Sequence, residues 1–281
     1  TNYTSNAIKD IYYRGPDDSS IFEKENVSLG SCRLAINDLR DIANMPMSSN
    51  CSRYTLVFNG EIYNFKELRE DLKSDFSFST KSDTEVIINA FIKYGIKCLD
   101  RFQGMYALAL WDNDKKEILL ARDRLGKKPL FFKFENEAFY FCSEINPLIK
   151  YTNNVKKINN KFIEEIALFG EQANKITAFQ GIEKIEPNKY LIIKIRNNEF
   201  KKFSNTYLPL LKVNCDFYCN NTKYDLFNLL SESVNKRLIS DRPIGIALSG
   251  GVDSAVLCKL ISNSGISKLP AFTVRFNLNT I

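Results

Sequence analysis

Residues 248–254 read Leu248-Ser249-Gly250-Gly251-Val252-Asp253-Ser254, and with their flanks they decide the fold of the C-terminal part of the chain. Upstream, Pro243-Ile244-Gly245-Ile246-Ala247-Leu248 is a short apolar run of the kind buried in parallel sheets. Downstream, Ser254 to Ile261 spaces its apolar residues as a helix does, and Pro270-Ala271-Phe272-Thr273-Val274 is a second strand candidate. The pattern predicts a β–loop–α–β unit with glycines at the strand-to-helix turn. Such a turn lets backbone N–H groups approach phosphate oxygens, and the helix N-terminus adds positive potential. Ser249 and Ser254 offer hydroxyls, and Asp253 can orient the loop or hold Mg²⁺. A tight glycine turn without a ligand is the competing reading, and the two flanking serines weigh against it.

No Gly-Lys-Ser/Thr follows the glycines, so this is not a Walker A loop, and it contains no G-x-G-x-x-G dinucleotide fingerprint. The segment resembles the PP-loop of ATP pyrophosphatases, enzymes that adenylate a substrate and release pyrophosphate. That resemblance implies an ATP site formed by Leu248, Ser249, Gly250, Gly251, Asp253 and Ser254, with Val274 meeting the adenine and Mg²⁺ as the companion ion. Arg275 stands where such enzymes usually carry glycine.

A length of 281 residues suits two domains, and a hydrophobic content of 44% supports packed cores. The formal charge of +6 comes from scattered lysines, which reads as a solvated surface rather than a nucleic-acid site. Histidine is absent, which removes histidine-based general base catalysis and most zinc sites. The seven cysteines lie far apart. The closest pair, Cys215 and Cys219, has no second pair to complete a metal site, so inert thiols in a reducing cytosol are expected. The chain opens with no signal peptide and has no apolar stretch long enough to span a bilayer, which predicts a cytoplasmic protein without membrane contact.

Residues 1–150 alternate strands with two helices. Tyr54 to Phe58 is β-rich, and Asn64 to Lys73 reads as a helix with Asn64 as N-cap. Ser82-Asp83-Thr84-Glu85 is a capping box before Val86, Ile87, Ala90, Phe91 and Tyr94, which share a helical face. Met105–Trp111, Ile118–Arg122, Pro129–Phe134 and Ala138–Ser143 read as an antiparallel meander, the first two joined by a turn at 112–116. A short helix (Asn160 to Leu168) and a strand pair around Ile182 to Ile195 follow. Residues 203–222 read as an irregular linker, and Tyr224 to Ser240 as an amphipathic helix.

The N-terminal part carries a second motif set: Arg14-Gly15-Pro16-Asp17-Asp18, then Gly30-Ser31-Cys32-Arg33-Leu34-Ala35-Ile36, Phe58-Asn59-Gly60-Glu61-Ile62-Tyr63-Asn64, Ser82-Asp83-Thr84-Glu85 and Arg122-Asp123-Arg124-Leu125-Gly126. In that order it resembles the class II glutaminase domain of asparagine synthetases, in which a PP-loop synthetase domain follows on the same chain. The implied fold is an α+β N-terminal-nucleophile sandwich (αββα) over 1–202, a linker at 203–222, and an incomplete α/β PP-loop domain, of the adenine nucleotide α-hydrolase type, over 223–281. The implied substrates are glutamine, ATP and aspartate, with asparagine, AMP, pyrophosphate and glutamate as products. β-Lactam synthetases, lasso-peptide cyclases and sugar-amidating enzymes are close relatives of that family. An amidotransferase with another acceptor, or a glutamine- or nucleotide-binding module without turnover, therefore stays open, as does a homodimer.

The resemblance assigns roles by motif position. Arg33 would clamp the glutamine carboxylate in a bidentate fork. Leu34, Ala35, Ile36 and Asn37 would continue that wall, and Glu61 and Asp83 would pair with the ammonium. Asn59 and the N–H of Gly60 would stabilise the oxyanion formed on attack at the amide. Each has a plainer reading: Asn59-Gly60 is a strong hairpin-turn dipeptide, Asp83 a first-turn helix acid, and Arg33 a surface arginine. The family's nucleophile is an N-terminal cysteine whose own α-amine is the base, and no residue here occupies that place. Thr1 lies only thirteen residues before Arg14, Cys32 lacks an α-amine, and Tyr13 stands where histidine is usual. A chain shortened at both ends, inactive by itself, is the expectation.

Overall fold

The computed structural model describes residues 2–135, 137–152, 157–170, 175–196, 199–208, 222–266 and 268–275. They fall into two compact units, residues 1–209 and 210–281. The first unit runs α1 (Asn2–Ile11), β1 (Asp18–Lys24), β2 (Val27–Arg33), β3 (Met47–Ser48), β4 (Tyr54–Ile62), α2 (Phe65–Leu72), α3 (Asp83–Tyr94), β5 (Gly104–Asp112), β6 (Glu117–Arg122), β7 (Phe131–Glu135), β8 (Ala138–Cys142), α4 (Ile145–Tyr151), α5 (Asn160–Phe169), β9 (Ile182–Lys184), β10 (Lys189–Arg196) and β11 (Glu199–Thr206).

One antiparallel sheet has the order β11-β10-β6-β5-β4-β3. A second layer holds the sheet β8-β7-β9 and the hairpin β1-β2. The two-residue period of a strand explains how they meet. On β4, Tyr54 meets Phe91 of α3 edge to face, whereas Val57 joins a core with Ala107, Ala109, Trp111, Ile118, Leu120, Phe132 and Leu29. That core takes residues from β2 and β7 as well as β4, β5 and β6, so it lies between the layers. Helix α3 packs on β4, while α1 packs on β2 and α4 on β7 and β8, which gives the αββα arrangement.

Several local expectations change. The four strands from 104 to 142 do not form one meander: β5 and β6 continue from β4, but β7 and β8 leave for the other layer. Arg122 and Asp123 make that change of sheet. Arg122 donates to the carbonyls of Lys128 (2.7 Å) and Ile185 (2.7 Å) and to that of Gly126. Asp123 accepts from the N–H groups of Tyr106, Leu125, Lys127 and Lys128. The strands around 182–195 do not pair with each other: β9 adds to β7, and β10 sits between β6 and β11.

Asn64 does not cap α2 with its side chain. Its amide holds Gln103 N–H (2.9 Å) and the Arg101 carbonyl (3.0 Å) instead. At α3, Ser82 Oγ accepts from Glu85 N–H, but the Glu85 carboxylate turns to the N–H groups of Ser79 (2.9 Å) and Thr80 (2.7 Å), so half of the capping box forms. The segment expected to be irregular from 203 is strand as far as Thr206. Tyr207 then fastens to the core by donating to the Arg122 carbonyl (2.9 Å). Residues 209–221, with Cys215 and Cys219, lie outside the described residues.

The second unit runs α6 (Thr222–Arg237), β12 (Ile246–Ala247), α7 (Val252–Asn263) and β13 (Ala271–Phe272). β12 and β13 pair in parallel, as a crossover through a helix requires. Val234, Ile246, Leu260 and Ile261 form its core, with Leu238, Ile266 and Leu269 against them. Among the described residues no helix is long and apolar enough to cross a membrane.

Candidate functional site

A cavity of about 760 Å³ lies in the first unit. It is lined by Arg33 at the end of β2, by Leu34, Ile36 and Asn37 just after it, by Asn59, Gly60 and Glu61 on β4, and by Asp83 at the start of α3. Residues scattered over fifty positions of sequence thus share one wall. Alternation puts Asn59 on the same face as Val57, hence toward the second layer. Ala35 is the exception in its segment: it is buried behind the wall, and its N–H donates to Asp17 Oδ2 at 2.9 Å.

Arg33 is buried, and both of its Nη groups hold the segment that follows. Nη1 donates to Asn44 Oδ1 (2.6 Å) and the Arg40 carbonyl (3.3 Å), and Nη2 to the carbonyls of Asp38 (2.5 Å) and Asn37 (3.1 Å). Burial works against its charge, and Asp38, Asp18, Asp17 and Asp83 support it. These four bonds commit both Nη groups to residues 37–44, so the bidentate fork expected on a ligand carboxylate does not form with them. Arg33 is the brace of that segment and a positive charge on the cavity wall.

Asp83 is buried, and its Oδ2 accepts from Ile62 N–H at 3.0 Å, which ties α3 to the end of β4. Burial raises its pKa to about 6, and the nearby charge of Glu61 adds to the rise. A buried carboxylate beside a second carboxylate is poised for a cationic partner. The Asn59–Gly60 pair is not a hairpin turn but mid-strand, opposite Ala107 and Tyr106 of β5. At Gly60 an added Cβ would lie 2.1 Å from the Met105 carbonyl oxygen, so only glycine allows this pairing. Asn59 Nδ2 donates to Ser143 Oγ (3.4 Å), just past β8.

Sequence reading missed Ser143, Thr84 and Met45, all on the cavity wall, and Asp38 behind it. Ser143 carries no signal beyond ending an apolar run. Cys32 also lines the cavity, but its thiol donates to the Ile8 carbonyl (3.5 Å), and burial and Asp18 raise its pKa. It is thus poorly set up as a nucleophile. Thr1 lies outside the described residues. Tyr13 and Arg14 both donate to Glu144, beside Ser143. The hydroxyl of Tyr3 and the indole N–H of Trp111, also on the cavity wall, are buried with no hydrogen-bond partner among the described residues.

In the second unit, Leu248 N–H donates to the Phe272 carbonyl (2.7 Å) and closes the β12–β13 pairing. The chain then turns through Gly250, at φ +83°, into α7. Ser249 Oγ lies 3.2 Å from Ser254 Oγ and accepts from Gly251 N–H (3.3 Å), and Ser254 Oγ donates to the Gly251 carbonyl (3.0 Å). The two serines thus set the loop shape. Asp253 and Val252 are exposed on the first turn of α7, and Val274 is exposed just past β13. An open glycine loop leading into a helix N-terminus fits a phosphate group, and an exposed first-turn carboxylate fits a companion Mg²⁺.

The glutamine amidotransferase domain model matches residues 1–204, and the asparagine synthase model matches residues 225–280. The chain belongs to the glutamine amidotransferase domain family, and an asparagine synthase segment follows that domain. Asparagine synthetase [glutamine-hydrolyzing] 2 of Bacillus subtilis is 34% identical to it over 273 residues, covering 94% of this chain and 36% of that protein. Asparagine synthetase [glutamine-hydrolyzing] 3 of the same organism is 29% identical over 282 residues, covering 95% of this chain and 44% of that protein. The chain thus spans less than half the length of these two asparagine synthetases. A solved glutamine phosphoribosylpyrophosphate amidotransferase of Bacillus subtilis is similar over 90% of this chain and 55% of that one, at 16% identity and a TM-score of 0.46.

Proposed function

We propose that the first unit binds L-glutamine and that the second binds the phosphates of ATP with Mg²⁺, as parts of a glutamine-dependent asparagine synthetase acting in the cytosol. The observation that carries this reading is the convergence of Arg33, Asn59, Gly60, Glu61 and Asp83 on one cavity. An α-amino acid needs a positive group for its carboxylate and a buried negative group for its ammonium, and Arg33 and Asp83 supply them. The amide of the ligand then lies toward Asn59 and Gly60, whose N–H donors suit the oxygen on which negative charge develops. The free thiols Cys32, Cys51, Cys98, Cys142 and Cys258 suit a reducing compartment.

These residues bind and orient glutamine; attack on its amide needs an activated nucleophile, and Cys32 is not one. In the second unit the backbone of the Gly250–Gly251 turn and the start of α7 would hold pyrophosphate oxygens, with Ser249 and Ser254 keeping the loop in shape. Asp253 would hold Mg²⁺, which supplies charge neutralisation at the phosphates when bound. Aspartate as acceptor rests on the family alone.

Asp253→Ala tests the division of labour. Titration with pyrophosphate and Mg²⁺ should show weak binding to the 281-residue chain and a clear loss in the variant, with L-glutamine binding unchanged. Loss of glutamine binding in Asp253→Ala, or full pyrophosphate binding, would contradict the assignment.

A further inference from the structure

We infer that Asp38 is a positioning residue that sets the separation between Arg33 and Asp83, and so makes the cavity select ligands carrying both an α-carboxylate and an α-ammonium. The inference rests on the glutamine reading above and deepens it.

Asp38 touches neither end of such a ligand but links the groups that do. Its carbonyl accepts from Arg33 Nη2 at 2.5 Å. Its carboxylate accepts from Arg40 Nε (2.7 Å) and Nη2 (2.5 Å), and Oδ2 also takes the backbone N–H of Lys81 at 2.6 Å. Lys81 stands just before Ser82, the N-cap of α3, and Asp83 is the first residue of that helix. The path from the arginine to the carboxylate is therefore short: Arg33, Asp38, Lys81, Asp83.

Both ends of that path are stiff. Arg69 donates to the carbonyls of Thr80 (2.7 Å) and Ser82 (2.8 Å), and Glu85 takes the N–H groups of Ser79 and Thr80. Residues 79–82 therefore cannot shift without breaking charge-assisted bonds. Asp38 itself sits at φ +54°, a left-handed conformation that aspartate tolerates better than most residues. Its side chain is almost fully buried while Arg40 is half exposed. Arg40 holds the carboxylate well below the usual range, so the link stays charged throughout the neutral range. A brace for a surface loop would not need a buried carboxylate bonded to the turn that starts α3.

The experiment compares three ligands on the 281-residue chain: L-glutamine, glutaramate (which lacks the ammonium) and 4-aminobutanamide (which lacks the carboxylate). Wild type should bind L-glutamine at least about tenfold more tightly than either analogue, the order expected for one charged contact. Asp38→Ala should weaken L-glutamine by about tenfold and leave the analogues nearly unchanged, so that discrimination collapses. Asp38→Asn, which keeps an acceptor for Lys81 and tolerates the same backbone, should recover most of it. If circular dichroism shows Asp38→Ala unfolded, Asp38→Glu takes its place, because the longer side chain must displace one end and should collapse discrimination too. An equal loss for all three ligands, or no change, would overturn the inference by making Asp38 a loop brace. Failure of wild type to bind L-glutamine would instead remove the glutamine reading, and this inference with it.

Discussion

The side-chain amide of Asn59, on β4, donates to the hydroxyl of Ser143, just past β8, across 3.4 Å. The bond joins the two sheet layers on the cavity wall and fixes the rotation of an amide that has a second N–H to offer a ligand oxygen. A donor held in place before the ligand arrives costs little reorganisation when charge develops. Ser143→Ala should lower the stability of the first unit by about 0.5–1.5 kcal/mol in denaturant titration, the usual net worth of one hydrogen bond. It should also bring the two Asn59 side-chain amide proton shifts closer together in NMR spectra. Unchanged shifts would mean that Asn59 is held by something else.

The cysteines should separate by reactivity. Cys51 is exposed, and its hydrogen bond to Ser49 lowers its pKa, whereas burial and Asp18 raise that of Cys32. The thiolate is the reacting species, so iodoacetamide at neutral pH should label Cys51 well before Cys32, read by peptide mass spectrometry. The 281-residue chain should release no glutamate from glutamine, and Cys32→Ser should change nothing. Glutamate release that depends on Cys32 would refute this.

Much of the first unit was legible because its signals are local and periodic. Val57 and Asn59 share a face by strand alternation alone, and α3 shows its buried side through Val86, Ile87 and Ala90. The stretch from Arg122 to Gly126 was legible as a motif, but its structural role was not. Its side chains turn the chain from one sheet into the other and do not line the cavity. Asn59-Gly60 illustrates the limit in another way. Locally it is a turn dipeptide, and only the close approach of Met105 across β5 makes the glycine a strand residue. Asp38 and Ser143 were not legible, because their roles depend on partners forty-three and eighty-four positions away. No local pattern encodes such contacts.

Asp83 should leave a mark on stability. Its pKa in the fold, about 6, lies above the ordinary value of 3.8. Between those two values the folded chain binds more protons than the unfolded chain, so this group's contribution falls as pH rises through that window. The full penalty, on the order of 3 kcal/mol, is reached above pH 6. Asp83→Asn keeps an acceptor for Ile62 N–H and removes the buried charge. It should therefore be more stable than wild type at pH 7.5 and show no advantage near pH 4. Equal stability of the two proteins at pH 7.5 would mean that Asp83 is not held as a desolvated carboxylate.

The same residue gives the most direct test of the glutamine reading. L-Glutamine should bind the 281-residue chain at pH 7.5 in a calorimetric titration. The affinity should fall by about tenfold at pH 5, because Asp83 must be ionised to hold the ammonium and its ionised fraction drops by that order one unit below its pKa. Asp83→Asn should bind weakly at both pH values, without the pH dependence. Wild-type affinity that is the same at both pH values, or an Asp83→Asn variant that binds as wild type does, would contradict the account.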